Sequence, residues 1–303
     1  MIQNGELNKI PYHTAFVVNP TAGEGKGGRI WLKIESLLKQ RGQQYRAYIT
    51  RNAGDGTGLA ARAVEDGAEL VVAVGGDGTL RKVVNGLDLQ NNVFGIIPAG
   101  TGNGFIRSCR IPLNWRKALE GLSTWNPRCI DLGLANDSYF LNMIGLGFDA
   151  AVAEKAGNMH RYLKGYAAYA AAIIDQVSTF NRFCCKAWCN GLFMQDNQTL
   201  LVVVANGSYY GGILKIAPHA RIDDGQLELC LIRKRSIPEL VNLGARILIR
   251  RHIDSRAVIK LSGHDINLQA LQRVLMHIDG DVFDASSIEI TLKPGALRLL
   301  APP

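Results

Sequence analysis

Apolar residues in the first third of this 303-residue chain fall into short compact blocks, separated by longer segments in which they recur at helical intervals. Residues 14–18, 45–50, 70–74 and 93–97 are strand candidates, and residues 30–40, 57–65 and 80–87 between them carry a helical period. That alternation predicts a parallel sheet flanked by helices. From about Cys129 the pattern changes to strands separated by turn signals, Asn136-Asp137 and Asn190-Gly191, the second a favoured two-residue hairpin turn. The later part is therefore predicted to be mainly β. Two helices interrupt it, over residues 161–177 and from Ser236, where Ser-Ile-Pro-Glu forms a capping box with proline inside the first turn. The closing residues, IEITLKPGALRLLAP, read as strand again.

Composition narrows the partners more than the fold. The formal net charge of +8 favours anionic ligands, whether nucleic acid, nucleotide phosphates or acidic lipid headgroups. Two basic clusters, Arg233-Lys234-Arg235 and Arg246 with Arg250-Arg251, adjoin apolar residues. They suit a lipid surface, where each basic group adds about 1 kcal/mol, or simply a solvated face. The most apolar run, residues 166–174, is far shorter than the roughly 20 residues of a spanning helix. The first residues show no export signal, so a cytoplasmic location is expected. Six irregularly spaced cysteines, with neither paired C-x-x-C nor H-E-x-x-H, are expected to be free thiols.

The chemistry is concentrated where predicted strands end. Leu70-Val-Val-Ala-Val runs into Gly75-Gly76-Asp77-Gly78-Thr79-Leu80, and a helix follows. Glycines there admit phosphates close to backbone N–H groups, and the helix N-terminus favours negative charge. Asp77 would repel a bare phosphate, a conflict that a magnesium-bound nucleotide removes. A second such exit, Pro98-Ala-Gly-Thr101-Gly-Asn103-Gly104, would share one pocket with the first, Thr101 and Asn103 offering neutral hydrogen bonds. Asn19-Pro-Thr-Ala-Gly23-Glu-Gly25 with Gly28 satisfies G-x-G-x-x-G, yet the second strand ends Ile49-Thr50-Arg51, without the acidic residue of a dinucleotide site. No P-loop sequence is present. Later, Arg221-Ile-Asp223-Asp224-Gly225-Gln226 and His277-Ile-Asp279-Gly280-Asp281 set carboxylates beside glycines, as phosphoryl transfer requires for a metal ion and a base, or as a plain β-turn would.

Together these residues resemble the diacylglycerol kinase catalytic superfamily, which includes bacterial lipid kinases and the sphingosine and ceramide kinases. The likeness runs nearly end to end: V-N-P-T-A-G from Val18, T-x-x-x-G-D from Thr50, G-G-D-G-T-L from Gly75, P-A-G-T-G-N from Pro98, N-M-I-G-L-G-F-D from Asn142, D-D-G-x-L from Asp223, I-D-G-D from Ile278, and P-G-A-L-R-L-L at the end. The resemblance implies an NAD-kinase-like α/β domain over residues 1–128 and a β-sandwich-like domain over 129–293, with the tail from about 294 packing on the first. It implies a nucleotide site in the cleft between them, ATP bound by Thr50, by Gly75, Gly76, Asp77, Gly78, Thr79 and Leu80, and by Thr101. A structural Mg²⁺ would be held by the Asp224 carboxylate and the carbonyls of Arg221 and Gln226, and Asp279 would be the base toward a lipid hydroxyl. The implied substrate is a membrane lipid, met at an anionic membrane surface, and nucleic acid is not an implied partner. An NAD kinase and a catalytically silent nucleotide- or lipid-binding relative are the alternatives. Arg81-Lys82, where relatives commonly carry Asn-Glu, Gly104 in place of an aspartate, and Asp281 in place of Glu depart from the pattern.

Overall fold

The computed structural model describes residues 9–52, 54–159, 172–173, 175–176, 179–212, 214–248, 252 and 255–303. The chain divides into two compact units, residues 1–131 with 295–303, and residues 132–294. Most of the predicted helix at 161–177, and the basic pair Arg250-Arg251, lie outside the described residues.

The first unit is built on four parallel strands, β1 (Thr14–Val18), β2 (Arg46–Ile49), β3 (Leu70–Gly75) and β4 (Val93–Pro98), in the order β2-β1-β3-β4. Helices α1 (Ala22–Gln40), α2 (Asp55–Glu65), α3 (Asp77–Val84), α4 (Gly104–Ser108) and α5 (Trp115–Thr124) connect and follow them. β1, β3 and β4 are buried along their whole length. Continuous Val, Ile and Leu in those blocks is what a parallel sheet covered on both faces demands. Every predicted strand and helix of this region is present, with boundaries moved by a few residues. The largest shift is at α1, whose span opens at Ala22 with a left-handed kink at Gly23, Glu24 and Gly25 ahead of its regular turns.

The second unit is antiparallel. Its strands are β6 (Ser138–Phe140), β7 (Met143–Gly147), β8 (Phe183–Cys189), β9 (Leu192–Ala205), β10 (Leu227–Arg233), β11 (Val258–Gly263) and β12 (Asp265–Ile278). Two further strands cross the division between units, β5 (Pro127–Ala135) and β13 (Asp281–Leu300). β7 and β8 each pair with both β9 and β12, at different ends of those long strands, so the sheet bends around a core that includes Ile144, Leu146, Val202, Val204, Leu268 and Met276. Along β9 the alternate residues Leu201, Val203 and Ala205 face a second core with Ile216, Ile232 and Leu243. That face is covered by α7 (Ile237–Leu248), while α6 (Phe148–Met159) follows β7 directly. The Asn190-Gly191 turn joins β8 to β9 with both residues at positive φ, the hairpin conformation predicted for that pair.

The end of β13 returns to the first unit, where Arg298 and Leu299 pair in parallel with Val93 and Phe94 of β4. All six cysteines are free, and burial pushes the Cys185 and Cys230 thiols up to about 12. No described helix is long and apolar enough to cross a membrane.

Candidate active site

In the β2-β1-β3-β4 order the strand direction of travel reverses between β1 and β3, and a ligand crevice belongs at the carboxyl ends of strands at such a point. A cleft of about 300 Å³ lies there. It is lined by Asn19, Thr21 and Gly23 after β1, Thr50 and Arg51 after β2, Gly76 to Thr79 after β3, Lys82 on α3, and Gly100 after β4. Arg51 and Lys82 give it positive charge, and the N-terminus of α3 points the same way.

Backbone contact fixes these turns. A Cβ on Gly76 would stand 2.9 Å from the Gly100 Cα, and one on Gly100 2.5 Å from the Gly76 Cα, so each position admits glycine alone. The Asn19 amide donates to Thr79 Oγ1 at 3.0 Å and its Oδ1 accepts from the Thr21 N–H and hydroxyl. Asp77 accepts from the Gly104 and Phe105 N–H groups at 2.8 and 3.2 Å, capping α4 and tying the β3 exit to the β4 exit. Two amide donors thus answer the charge of the carboxylate. After Thr50 the chain is held by Asp55, whose carboxyl accepts the Arg51 and Asn52 N–H groups at 2.8 Å. Those bonds, the Asn52 amide first, hold it below the usual carboxylate range.

In the second unit Asp279 is at φ 47° in the turn between β12 and β13 and is buried. Its Oδ1 accepts from the Asn142 and Met143 N–H groups at 3.0 and 2.9 Å, and its Oδ2 from Leu141 N–H at 2.7 Å. Three of the four lone-pair positions of an ionised carboxylate are thus used by backbone. Backbone of the same unit thus holds the carboxylate in a fixed orientation.

The same unit holds an apolar cavity of about 340 Å³ between the β9–β10 face and helices α6 and α7. Leu200, Val203, Ile216, Ile232, Leu243 and Ile247 are typical of its wall, and Asp149 is the one charged residue among the described residues that line it. The turn of residues 221–226 before β10 offers hard oxygen donors: Asp224 Oδ1 accepts the Gln226 N–H at 3.1 Å, holding the carboxylate over its own loop. One carboxylate with carbonyls and remaining water positions fits a magnesium ion, which keeps several waters.

The family described as diacylglycerol kinase catalytic domain matches residues 13–135, and the YegS C-terminal NAD kinase beta sandwich-like domain matches residues 142–301. The chain belongs to the diacylglycerol kinase catalytic family, with a YegS-like C-terminal domain. Among its relatives, a diacylglycerol kinase of Staphylococcus carnosus is 27% identical over 88% of this chain and 87% of that protein. One of Bacillus subtilis is 27% identical over 88% of each. The crystal structure of a diacylglycerol kinase from Bacillus anthracis superposes with a TM-score of 0.74 at 23% identity, covering 97% of this chain and 99% of that one, and so shares the fold.

In this diacylglycerol kinase family member, Thr50, Gly76, Asp77, Gly78 and Thr79 all line the cleft. Gly75 ends β3, where a Cβ would strike Thr79, and Leu80 is wholly buried in the core. Asn103, in the left-handed conformation, turns its amide onto the Gly100 carbonyl, and neither it nor Thr101 is among the lining residues. Arg221 pairs with Asp223 at 3.2 Å on the surface. Sequence reasoning set the Asn19 turn aside as a failed dinucleotide motif; its alternate role, a side chain bridging to Thr79, had the V-N-P-T-A-G run as its signal. Lys82, a departure from the family's pattern, lines the cleft.

Proposed function

We propose that this protein transfers the γ-phosphoryl group of Mg-ATP to a hydroxyl of a membrane lipid. The observation that carries the reading is the apolar cavity in the β-rich unit of a chain whose other unit holds a basic, glycine-walled cleft. A cavity so poor in polar groups suits an acyl chain, with each methylene taken from water contributing about 0.8 kcal/mol. The cleft suits a triphosphate, with the turn amides and Lys82 as donors.

In the reaction the lipid oxygen attacks the γ-phosphorus, the bond to the β–γ bridging oxygen breaks, ADP leaves, and the hydroxyl proton passes to Asp279. A loose transition state needs little basicity, so an aimed carboxylate serves better than a strong base. Magnesium, when bound, neutralises charge building on the phosphate oxygens; the Asp224 carboxylate with the Arg221 and Gln226 carbonyls is the oxygen set assigned to a structural Mg²⁺. Contact with an anionic bilayer is assigned to α7, whose Ile237 and Val241 are 50% and 65% exposed between Arg235 and Arg246.

Asp279→Asn tests the base. The amide NH₂ must face one of three backbone N–H donors, so a loss of about 1 kcal/mol of stability accompanies it. Turnover is expected to fall 10²- to 10⁴-fold with ATP affinity retained, measured by product formation beside nucleotide titration. Full turnover in the folded variant removes Asp279 from the reaction.

A further inference from the structure

The apolar cavity has a polar corner. Asp149, the second residue of α6, is buried, accepts the Ala150 N–H at 2.8 Å and faces His277 Nε2 at 3.1 Å. The His277 side chain is only 4% exposed, and its ring lies 6.1 Å from that of Tyr210, a second cavity-lining residue. The fold makes deliberate room for this pair. Gly145, the partner of His277 across the β7–β12 ladder, could not carry a Cβ, which would stand 1.9 Å from Asp149 Oδ2 and 2.4 Å from His277 Nε2.

A carboxylate oxygen accepts hydrogen bonds, so the contact with Asp149 Oδ2 places a ring proton of His277 on Nε2; in that tautomer Nδ1 is an acceptor. That Nδ1 is buried and has no hydrogen-bond partner among the described residues. A buried acceptor without a donor is a costly feature that native structures rarely keep without use. The reacting hydroxyl does not answer it, since a hydroxyl has one proton and Asp279 takes it in the reaction above.

We infer that the Asp149–His277 pair is a binding site for a second hydrogen-bond donor on the acceptor lipid, beside the hydroxyl that is phosphorylated. The inference rests on the lipid reading of the cavity and deepens it. The preferred acceptor is then a single-chain lipid with two or more donors, a monoacylglycerol or a sphingoid base, over a diacylglycerol, which has one hydroxyl and no other donor. A site built to bond a hydroxyl or amine rejects the analogue that lacks it far more strongly than an apolar wall rejects an extra group.

The test is equilibrium binding of the full chain, without ATP, to monodecanoylglycerol, sphinganine and didecanoylglycerol presented in the same detergent micelles, followed by phosphoryl transfer to each. Expected is at least tenfold tighter binding of one or both single-chain lipids. A larger gain for sphinganine assigns the donor to its ammonium at Asp149, a gain for monodecanoylglycerol to a hydroxyl at His277. The Asp149→Leu/His277→Phe double variant, which removes both polar partners together, is expected to bring the ratio within about threefold of one. His277→Gln, which can still donate to Asp149 and present an acceptor, is expected to keep part of the preference. Equal binding of all three by the unaltered protein overturns the inference and leaves the kinase reading standing. A preference that persists without phosphoryl transfer supports the site and defeats the kinase reading, while no binding of any lipid overturns both. An unchanged ratio in the double variant also overturns the site.

Discussion

Asp77 illustrates how a residue can be legible as a motif and illegible as a structure. The succession of glycines and Asp77 pointed to a phosphate turn, but nothing in spacing along the chain could show its carboxylate reaching 27 and 28 residues ahead to cap α4. Asp77→Ala should therefore cost about 1 kcal/mol, the usual loss for a helix cap, and should weaken ATP binding by loosening the β4 exit from the β3 exit. Thermal unfolding and nucleotide titration check the two effects, and loss of stability with ATP affinity intact would show that the turns do not depend on each other. Asp279 was readable in the same partial way: the I-D-G-D run marked it, while its three amide partners come from 136 to 138 residues earlier and no local pattern reports them. At Gly145 the sequence offered only a glycine in a strand. The pair it makes room for joins residues 128 apart, so Gly145→Ala is predicted to be strongly destabilising, by roughly 3 kcal/mol or more through overpacking and a displaced buried charge.

Among the elements, the strands of the first unit were the most legible, because a parallel sheet covered on both faces writes itself as unbroken apolar blocks. Helix starts were less so: α1 was placed late since Gly23, Glu24 and Gly25 break the period that identifies a helix. α7 was read from its cap, and Glu239 does accept both the Ser236 N–H and hydroxyl, which keeps its carboxyl below the usual range. What the cap could not disclose is that the helix has two apolar faces. Leu240, Leu243 and Ile247 line the cavity, while Ile237 and Val241, one turn apart, are left outside with Arg235 and Arg246 nearby. An exposed apolar pair flanked by arginines suits a bilayer carrying negative charge. The Ile237→Glu/Val241→Glu variant should lose most of its sedimentation with vesicles containing phosphatidylglycerol, and should keep phosphorylating a short-chain acceptor in solution. Undiminished sedimentation would move the docking face elsewhere.

At the scale of the whole molecule, one strand serves two compact units. β13 pairs with β12 in the second unit and, through Arg298 and Leu299, with β4 in the first. Leu297, Leu299 and Leu300 are fully buried there, so deleting residues 296–303 removes three core side chains worth about 1.5–3 kcal/mol each. The first unit is expected to lose cooperative unfolding, seen by calorimetry. The tail's sequence, P-G-A-L-R-L-L, resembled the family's closing segment, but its strand partner lies some 200 residues back and only the fold supplies it. Family membership, the α/β and β-rich units and the paired glycine turns carry the account to a lipid kinase. Its central claim is most directly tested by incubating the purified protein with Mg-ATP labelled in the γ-phosphate and a fractionated lipid extract, then identifying any labelled species by mass. The account predicts a monophosphorylated lipid whose formation is lost in Asp279→Asn. Label passing to NAD alone, or to no lipid while ATP binds, would contradict it.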